Sequence, residues 1–451
     1  MAQGHLLGWR IVHQSDSDST SARYSRLRST AFTSSWLLYA GYYLCRENMR
    51  SVRTLPGAPP AQDDLTGLLF NFALAYILGH FISGTLSDLP RFQVGARRTA
   101  LIGGLISAAA TAAMLFVHAP HPLLALQLLN GFAQGLGFPA LCRLLAVWFS
   151  RSERPNVLAW WSASYSLGGV LAASLTLWCA TTQLIMPSWG WQRCFIFPPI
   201  LLALISAYFF LTTRDEPADA GLAPITAPEE DSPFAENHRL AGIWSGWWAV
   251  LSNGQVRTIS AMYFFLKMTR YALLFWLPLY LVQTTHLSRN RAASTAALFE
   301  FFGFAGALLA VHLSIRYFNS RRYPVAAIML FALGFLALVQ PLITTMGWWV
   351  SAVSVAAMGL LVYAVDALMV SVAVLESVPL ACSARAIAAV NGAGSIGQML
   401  SPLLVTWFAR HYGWDNLFNL FLITSLIAAA IVAPRWNDEA RELTQATALE
   451  A

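Results

Sequence analysis

The sequence predicts an all-α membrane protein of twelve transmembrane helices, arranged as two six-helix bundles related by pseudo-two-fold symmetry. Composition is the first observation behind this prediction. The 451 residues are 57% hydrophobic and only 11% charged, whereas soluble proteins carry roughly 25% charged residues. The second observation is a series of apolar windows, each with the about 20 residues that a membrane span requires. The third is an internal repeat.

The apolar windows give the order of the elements. They lie near 29–49, 65–87, 98–117, 122–148, 156–181, 192–213, 256–283, 292–315, 323–344, 347–375, 384–409 and 414–434. The segment between the two sets of six is rich in Pro, Ala and acidic residues (RDEPADAGLAPITAPEEDSPF), as is typical of a solvated linker. The predicted domains are a cytoplasmic segment 1–28, a bundle 29–213, a cytoplasmic linker 214–255, a bundle 256–434 and a cytoplasmic tail 435–451.

Charge in the loops predicts the orientation. Short segments on the side of the termini hold most of the loop arginines, among them Arg97, Arg151 and Arg322. Because positively charged loops stay in the cytoplasm, both termini are expected there. The net charge of +6 comes from these loops rather than from a clustered basic arm with interleaved aromatic residues. A nucleic-acid-binding function is therefore excluded.

The two halves repeat one another at a nearly constant offset. Ser87 and Ser314, after the second and eighth helices, lie 227 residues apart, and Gly131 and Gly359 lie 228 apart. Arg46 in the first helix and Arg270 in the seventh lie 224 apart. Such a duplication is typical of secondary transporters.

A loop after the second helix carries a family motif. The residues from Gly84 to Arg98 read G-x-L-S-D-x-x-R-x-x-x-G-x-R-R, and this pattern resembles the loop signature of the major facilitator superfamily. Within that superfamily the chain is similar to the organophosphate:phosphate antiporters over nearly its whole length. The segments that carry this resemblance are ARYSRLRSTAF, YYLCREN, LAYILGHFISGTLSD, LNGFAQGLGFP, DEPADAGL, TRYALLFWLPLYL and LFEFFGFAGALLA.

The resemblance implies roles for charged residues. In the family, two arginines at the positions of Arg46 and Arg270 bind the phosphoryl group, and guanidinium forks suit phosphate oxygens. The resemblance also implies that the loop residues Asp88, Arg91 and Arg98 latch neighbouring helices in one access state.

Aromatic and histidine side chains are further candidates for the substrate site. Tyr39, Tyr42 and Tyr43 share one helix face with Arg46 through their spacing. The other candidates are Tyr76, His80, Tyr165 and Tyr363. For each tyrosine, hydrogen bonding to a phosphate ester and simple packing remain alternatives. His80 and Tyr165 stand where many relatives carry Lys and His, respectively.

Acidic residues inside the membrane form a second group of candidates, because a buried charge is retained mainly where it has a function. Glu47 replaces a Lys usual in relatives, Glu300 matches a family acid, and Asp366 has no certain counterpart. Lys267, the single lysine of the chain, is a further candidate for the substrate site, where it would replace a missing cation, and is the expected counter-ion of Glu47 and Glu300. Proton coupling through His80, Glu300 or Asp366 stays open.

The expected function is exchange of an organic phosphate ester for inorganic phosphate by alternating access, in a bacterial cytoplasmic membrane. Two alternatives stay open: a membrane sensor of a sugar phosphate that signals to a histidine kinase, and a proton-coupled carrier of organic anions. No nucleotide loop, metal cluster or nucleophile constellation occurs, so neither an enzyme nor a cofactor is expected. The expected partners are the organic phosphate, inorganic phosphate and the lipid bilayer, and the expected state is a monomer.

Overall fold

The computed structural model is all-helical. The residues that it describes are 18–46, 48, 52, 65–89, 94–117, 119–225, 242–285 and 288–438. The fourteen helices in this part of the chain are α1 (Asp18–Leu44), α2 (Leu65–Asp88), α3 (Gly95–Ala113), α4 (Pro120–Gly135), α5 (Gly137–Trp148), α6 (Arg154–Thr181), α7 (Phe197–Thr212), α8 (Ile243–Ser252), α9 (Gly254–Thr285), α10 (Arg289–Tyr317), α11 (Arg322–Thr345), α12 (Trp348–Ser377), α13 (Ser383–Tyr412) and α14 (Leu417–Val432).

Several of these helices are long and apolar enough to cross a membrane. Seven meet this condition in the described part of the chain: α3, α6, α9, α10, α11, α12 and α14. An eighth span results if the 3₁₀ segment Pro187–Phe195 and α7, which meet at a 42° bend, are one broken span. The chain is therefore a multi-pass membrane protein.

Each of the twelve predicted helices has a helical counterpart, with differences at breaks. The predicted helix 122–148 is interrupted at Leu136, between Gly135 and Gly137, and becomes α4 and α5. The first helix ends at Leu44, so that Arg46 lies in the turn beyond it. The tenth contains a π-helical stretch, Asp366–Ala373.

Helix α8 occupies part of the predicted linker, where the sequence analysis did not anticipate a helix. Trp244 and Trp248 are 84% and 74% exposed, whereas Trp247 is buried and donates its indole N–H to Thr85 Oγ1 at 3.0 Å. This amphipathic helix lies beside the end of α2, on the face of the molecule that also carries residues 213–225. We call this face the linker face.

Glycine contacts repeat between the two halves. Gly131 of α4 packs against the backbone of Phe72 in α2, and Gly359 of α12 packs in the same way against Phe299 in α10. A Cβ atom at either glycine would overlap the facing carbonyl oxygen. Both partners keep the offset found in the sequence, so the duplication extends to close helix packing.

Contacts between the halves are made mainly by two helix pairs. Helix α2 packs along α13, and α6 packs along α10. At the first seam, Gly84 lies so close to α13 that a Cβ atom there would come within 2.9 Å of Ala388 Cβ. These two pairs enclose the residues of the candidate site.

Candidate functional site

Arg46 is held by neutral groups. Its Nε–H donates to Gln134 Oε1 at 2.7 Å, and its guanidinium carbon lies 4.5 Å and 5.1 Å from the ring centroids of Tyr43 and Tyr76. Among the described residues, no carboxylate pairs with it. Its positive charge is therefore stabilised by aromatic faces and an amide rather than cancelled.

A buried polar network positions Arg46. Gln134 Nε2 donates to the carbonyl of Tyr42 at 3.0 Å, and Asn130 Nδ2 donates to the carbonyl of Cys45 at 2.9 Å. Ser107 joins them by donating to Asn130 Oδ1 at 2.7 Å. These bonds reach carbonyl groups at the end of α1 and in the turn after it, where the regular helix bonds end. The sequence analysis missed this network, although two of its members lie in the segment LNGFAQGLGFP.

Arg270 has a charged partner instead. Its Nη1–H donates to Asp366 Oδ2 at 3.0 Å, and both side chains are buried. The guanidinium carbon lies 4.2 Å from the ring centroid of Tyr363 and 5.4 Å from that of Tyr165. Two buried atoms of the pair, Arg270 Nε and Asp366 Oδ1, have no hydrogen-bond partner in the described part of the chain. The ion pair is therefore incompletely satisfied.

The π-helical stretch in α12 places Asp366. It runs from Asp366 to Ala373, directly after the regular helix that carries Tyr363. Such stretches are rare and occur mostly as single turns at functional sites. The wider turn shifts the register of the side chains that follow Asp366.

Lys267 bonds to a hydroxyl rather than to a carboxylate in the described part of the chain. Its Nζ donates to Ser395 Oγ of α13 at 2.9 Å and lies between 5.3 and 5.9 Å from the ring centroids of Tyr76, Tyr263 and Tyr271. An ion pair with Glu300 is not found among the described residues. The ammonium group of Lys267 contacts a hydroxyl and aromatic rings instead. Glu47 lies outside the described residues.

Glu300 lies at the seam between α6 and α10. A Cβ atom added at Gly169 of α6 would come within 2.8 Å of its carboxylate. The carboxylate also interacts electrostatically with Tyr363. Glu300 thus belongs to the contact between the two halves.

The tyrosines predicted on the first helix have different surroundings. Tyr43 lies against Arg46, whereas Tyr39 stacks on Trp161 with 5.1 Å between ring centroids. Tyr42 donates its hydroxyl to the carbonyl of Ala100 in α3 at 2.7 Å. The structure therefore brings Tyr43 to the site and turns the hydroxyl of Tyr42 into the bundle.

The remaining candidates surround the two arginines. Tyr165 of α6 and Tyr363 of α12 stack across the two halves with 5.8 Å between ring centroids. The His80 ring lies 4.2 Å from that of Tyr76, and its Nδ1 bonds to the carbonyl of Gly135 at 2.7 Å. His80 Nε2 is buried without a partner in the described residues.

Tyrosine rings connect the cations of the two halves. The Tyr76 ring lies 5.1 Å from the Arg46 guanidinium and 5.3 Å from Lys267 Nζ. Tyr43 and Tyr271 each interact electrostatically with both Arg46 and Arg270. Three cations from α1 and α9 therefore converge on one buried, tyrosine-lined region, which suits a multiply charged anion.

A latch on the linker face joins the halves. Asp88, at the end of α2, accepts hydrogen bonds from the backbone N–H groups of Ala384 and Arg385 at 3.1 and 2.8 Å, and so caps the start of α13. Arg385 Nε and Arg143 Nη1 also donate to this carboxylate, at 3.3 and 3.0 Å. Arg143 further donates to the carbonyl of Leu380 at 2.7 Å.

The described partners of Asp88 in the latch include two arginines that the family motif does not contain. Asp88 is in the latch, but its described partners are Arg143 and Arg385, which the sequence analysis did not select. Arg91 lies outside the described residues. Arg98 is in the first turn of α3, where its neighbour Arg97 donates to the Phe210 carbonyl at 2.9 Å. The sequence could not supply the latch partners because they come from the fourth and eleventh predicted helices.

Comparison with family models assigns the chain to a known fold and transport family. The model of the Major Facilitator Superfamily matches residues 55–379 and 259–450. The chain belongs to this superfamily. It is a membrane transport protein of that class, not an enzyme.

Similar proteins of nearly the same length are organophosphate transporters and a sensor. The chain is 26% identical to the glycerol-3-phosphate transporter of Bacillus subtilis (strain 168), with 94% of this chain and 96% of the relative covered. It is 27% identical to a probable hexose phosphate transport protein of Chlamydia trachomatis, with 96% of each covered. The membrane sensor protein UhpC of Escherichia coli (strain K12) is 26% identical, with 94% and 95% covered.

Solved structures share the fold. The proton:xylose symporter XylE, bound to 6-bromo-6-deoxy-D-glucose, superposes with a TM-score of 0.65 over 92% of this chain and 96% of that one. Their sequence identity is 16%. The likeness therefore shows the major facilitator fold alone.

Proposed function

We propose that this protein exchanges an organic phosphate ester for inorganic phosphate across a bacterial cytoplasmic membrane. The observation that carries the proposal is the convergence of Arg46, Lys267 and Arg270 on one set of tyrosines. Arginine from each half suits a phosphate dianion, whose oxygens accept bidentate hydrogen bonds from guanidinium groups. The organophosphate-transporting relatives support the choice of ligand class.

The proposed mechanism is alternating access. In the empty site, no described carboxylate forms an ion pair with Arg46 on one half or with Lys267 on the other. A phosphate group between them neutralises both, so that the halves close around the loaded site. The latch of Asp88 with Arg143 and Arg385 closes the linker face in the present state, and its release opens that face to the cytoplasm. Both termini are proposed to lie on the cytoplasmic side.

Proteoliposomes loaded with inorganic phosphate test this function. They are challenged with labelled glycerol phosphate, hexose phosphate and phosphoglycerate, and with organic acids that lack phosphate. The wild-type protein is expected to exchange at least one phosphate ester. Uptake of the phosphate-free acids alone would contradict the proposal and favour a proton-coupled organic-anion carrier.

Two conservative variants test the arginines in the same vesicles. Arg46→Lys and Arg270→Lys are each expected to lower exchange about 10- to 100-fold, because a lost hydrogen bond to a charged group costs about 1.5–3 kcal/mol. Arg410→Lys, at an exposed position at the end of α13, is the matched control and should retain exchange. Normal exchange by both site variants would refute the assignment of the site.

A sensor is the second candidate, because UhpC aligns over nearly the whole chain. A sensor would need the same phosphate site but not fast reorientation of the two halves. Ester-driven counterflow of labelled phosphate distinguishes the two functions. Phosphate binding without counterflow would favour sensing, whereas rapid counterflow excludes a protein that only senses.

A further inference from the structure

The carboxylate of Asp366 forms an ion pair with the guanidinium group of Arg270. The carboxylate is 5% exposed and lies on α12, while Arg270 is 6% exposed and lies on α9. Among the described residues, Arg46, at the matching position of the first half, has only neutral partners. In this part of the chain, the second half of the site therefore contains a counter-anion, and the first half does not.

The charged and titratable groups around Asp366 come from several helices. The Tyr165 hydroxyl of α6 and the Tyr263 hydroxyl of α9 face the carboxylate. Its other electrostatic neighbours on α9 are Lys267, Arg270 and Tyr271, and Glu300 of α10 interacts electrostatically with Tyr363. The arginines at the starts of α11 and α13 pair elsewhere: Arg322 with Glu376, and Arg385 with Asp88.

The contact between Arg270 and Asp366 is suited to exchange with another anion. It consists of one hydrogen bond, from Nη1 to Oδ2, rather than the two parallel bonds of a bidentate pair. Arg270 Nε and Asp366 Oδ1 are left without partners in the described residues. A phosphate group that reaches Arg270 satisfies more of its N–H donors than Asp366 does.

We propose that Asp366 is a displaceable internal counter-anion of Arg270, which lets the carrier return empty and carries one proton with each bound phosphate. The inference rests on the proposed function and deepens it, since it predicts net proton-phosphate transport in addition to exchange. When phosphate binds, its oxygens accept the N–H groups of Arg270, and the bond from Nη1 to Asp366 Oδ2 breaks. The freed carboxylate takes a proton from the water on the side where phosphate entered. After release on the other side, the proton returns to water and Asp366 pairs with Arg270 again.

The physical reason for proton uptake is charge balance. A carboxylate and a phosphate group cannot both remain ionised at close range in a buried site, because like charges and desolvation each favour the neutral acid. Without a proton, the displaced Asp366 is a buried charge that lacks its partner, which is strongly unfavourable. In the empty carrier, the ion pair with Arg270 avoids this cost of an unpaired buried carboxylate.

Vesicles without internal phosphate test the proposal. Uptake of labelled phosphate is measured at one external pH, with the internal pH either equal to it or about one and a half units higher, so that the ionisation of external phosphate stays constant. The wild-type protein is expected to take up phosphate faster with the alkaline interior, while exchange in phosphate-loaded vesicles changes little. Net uptake that is absent, or that ignores the internal pH, overturns the inference.

Two variants separate the role of the carboxylate from a structural role. Asp366→Asn is expected to lower the ratio of net uptake to exchange about tenfold or more, because the empty carrier alone needs the counter-anion. Asp366→Glu keeps a carboxylate and should recover pH-driven net uptake in part. Equal loss of both activities in Asp366→Asn overturns the proposal.

Failure of the inference and failure of the proposed function give different results. If the wild-type protein shows exchange without net uptake, the counter-anion role is wrong and the antiporter stands. If it exchanges no phosphate ester, the proposed function itself is wrong. The wild-type measurement decides the first question even if Asp366→Asn does not fold.

Discussion

The two arginines of the site stand at matching positions of a duplicated fold, yet their surroundings differ in charge. Arg46 lies among Gln134 and aromatic rings, whereas Arg270 pairs with the Asp366 carboxylate. The duplication has kept an arginine at the same position in both halves, while the neighbouring side chains determine how much of its charge is available to a ligand. In the first half, the charge of Arg46 is available to a ligand without the loss of a described ion pair. In the second half, Arg270 must first separate from Asp366.

The largest expected effect comes from removing the guanidinium group of each arginine in turn. Arg270→Met leaves Asp366 buried without its partner and is expected to lower the free energy of unfolding by about 3–5 kcal/mol. Arg46→Met leaves only neutral groups unpaired among the described residues and should cost about 1–3 kcal/mol. Thermal unfolding in detergent checks the order. The double variant Arg270→Met/Asp366→Asn should recover part of the stability, and equal losses for both single variants would contradict the difference in charge.

The second prediction compares two glycines, one from each half, that each pack against a tyrosine of a neighbouring helix. At Gly135, a Cβ atom would overlap the backbone carbonyl of Tyr76, whereas at Gly303 it would meet the side-chain ring of Tyr363 at 2.5 Å. Overpacking against backbone should cost about 1–3 kcal/mol of stability in Gly135→Ala.

Gly303→Ala acts differently, because the added methyl group meets the Tyr363 ring rather than backbone and would push this ring from its place over Arg270. Its melting temperature should change less than that of Gly135→Ala, and its affinity for phosphate should fall. Isothermal titration with phosphate and thermal unfolding separate the two effects. A larger stability loss in Gly303→Ala than in Gly135→Ala would show that the ring cannot move.

The next prediction places a carboxylate beside Arg46, so that both arginines have an acidic partner. Gln134→Glu has nearly the same shape and places a carboxylate where the amide oxygen accepts the bond from Arg46. Because both arginines are then neutralised, phosphate affinity is expected to fall about tenfold, or about 1.4 kcal/mol. Titration with phosphate measures the effect. An unchanged affinity would mean that the free charge of Arg46 does not draw phosphate.

The smallest expected effect lies on the linker face, at the ion pair between Arg28 and Glu153 (2.6 Å). Burial raises the pKa of Glu153, but hydrogen bonds from Arg28 and Ser150 outweigh it and hold the pKa below its ordinary value. A lowered pKa gives stability that is present above the unfolded pKa and is lost as the pH falls through the folded pKa.

Glu153→Gln should therefore lower stability by at most about 1 kcal/mol at neutral pH. Melting temperatures of the wild-type protein and this variant, measured at neutral pH and then in acid, check the sign. The difference should vanish in acid, where Glu153 is protonated in both states. A difference that persists there would mean that the residue acts through packing.

Much of the fold could be predicted from the sequence, because spans and duplication leave periodic signals. Apolar windows gave the order of the helices, and the constant offset paired Arg46 with Arg270 before any geometry was known. The break at Leu136 was not anticipated, since a helix interruption between two glycines leaves the apolar window continuous.

The partners of the charged residues could not be predicted in the same way. Lys267 was expected to meet a carboxylate, but a serine on α13 and three rings surround it, and such neutral partners have no distinctive spacing. Asp366 is recognisable as a buried acid, yet its pairing with Arg270 of another helix has no distinctive spacing. The polar network under Arg46 is built from Gln134 and Asn130, whose amide groups can bond to many kinds of partner, so the sequence does not identify which groups they meet.

The central claim is that Arg46 and Arg270 hold the same phosphate group. A double-mutant cycle tests it most directly, with the affinity for inorganic phosphate measured by titration of the wild-type protein, Arg46→Lys, Arg270→Lys and the double variant. If one phosphate bridges both guanidinium groups, the loss in the double variant should differ from the sum of the single losses by about 1 kcal/mol or more. Strictly additive losses would contradict the claim and place the two arginines at independent sites.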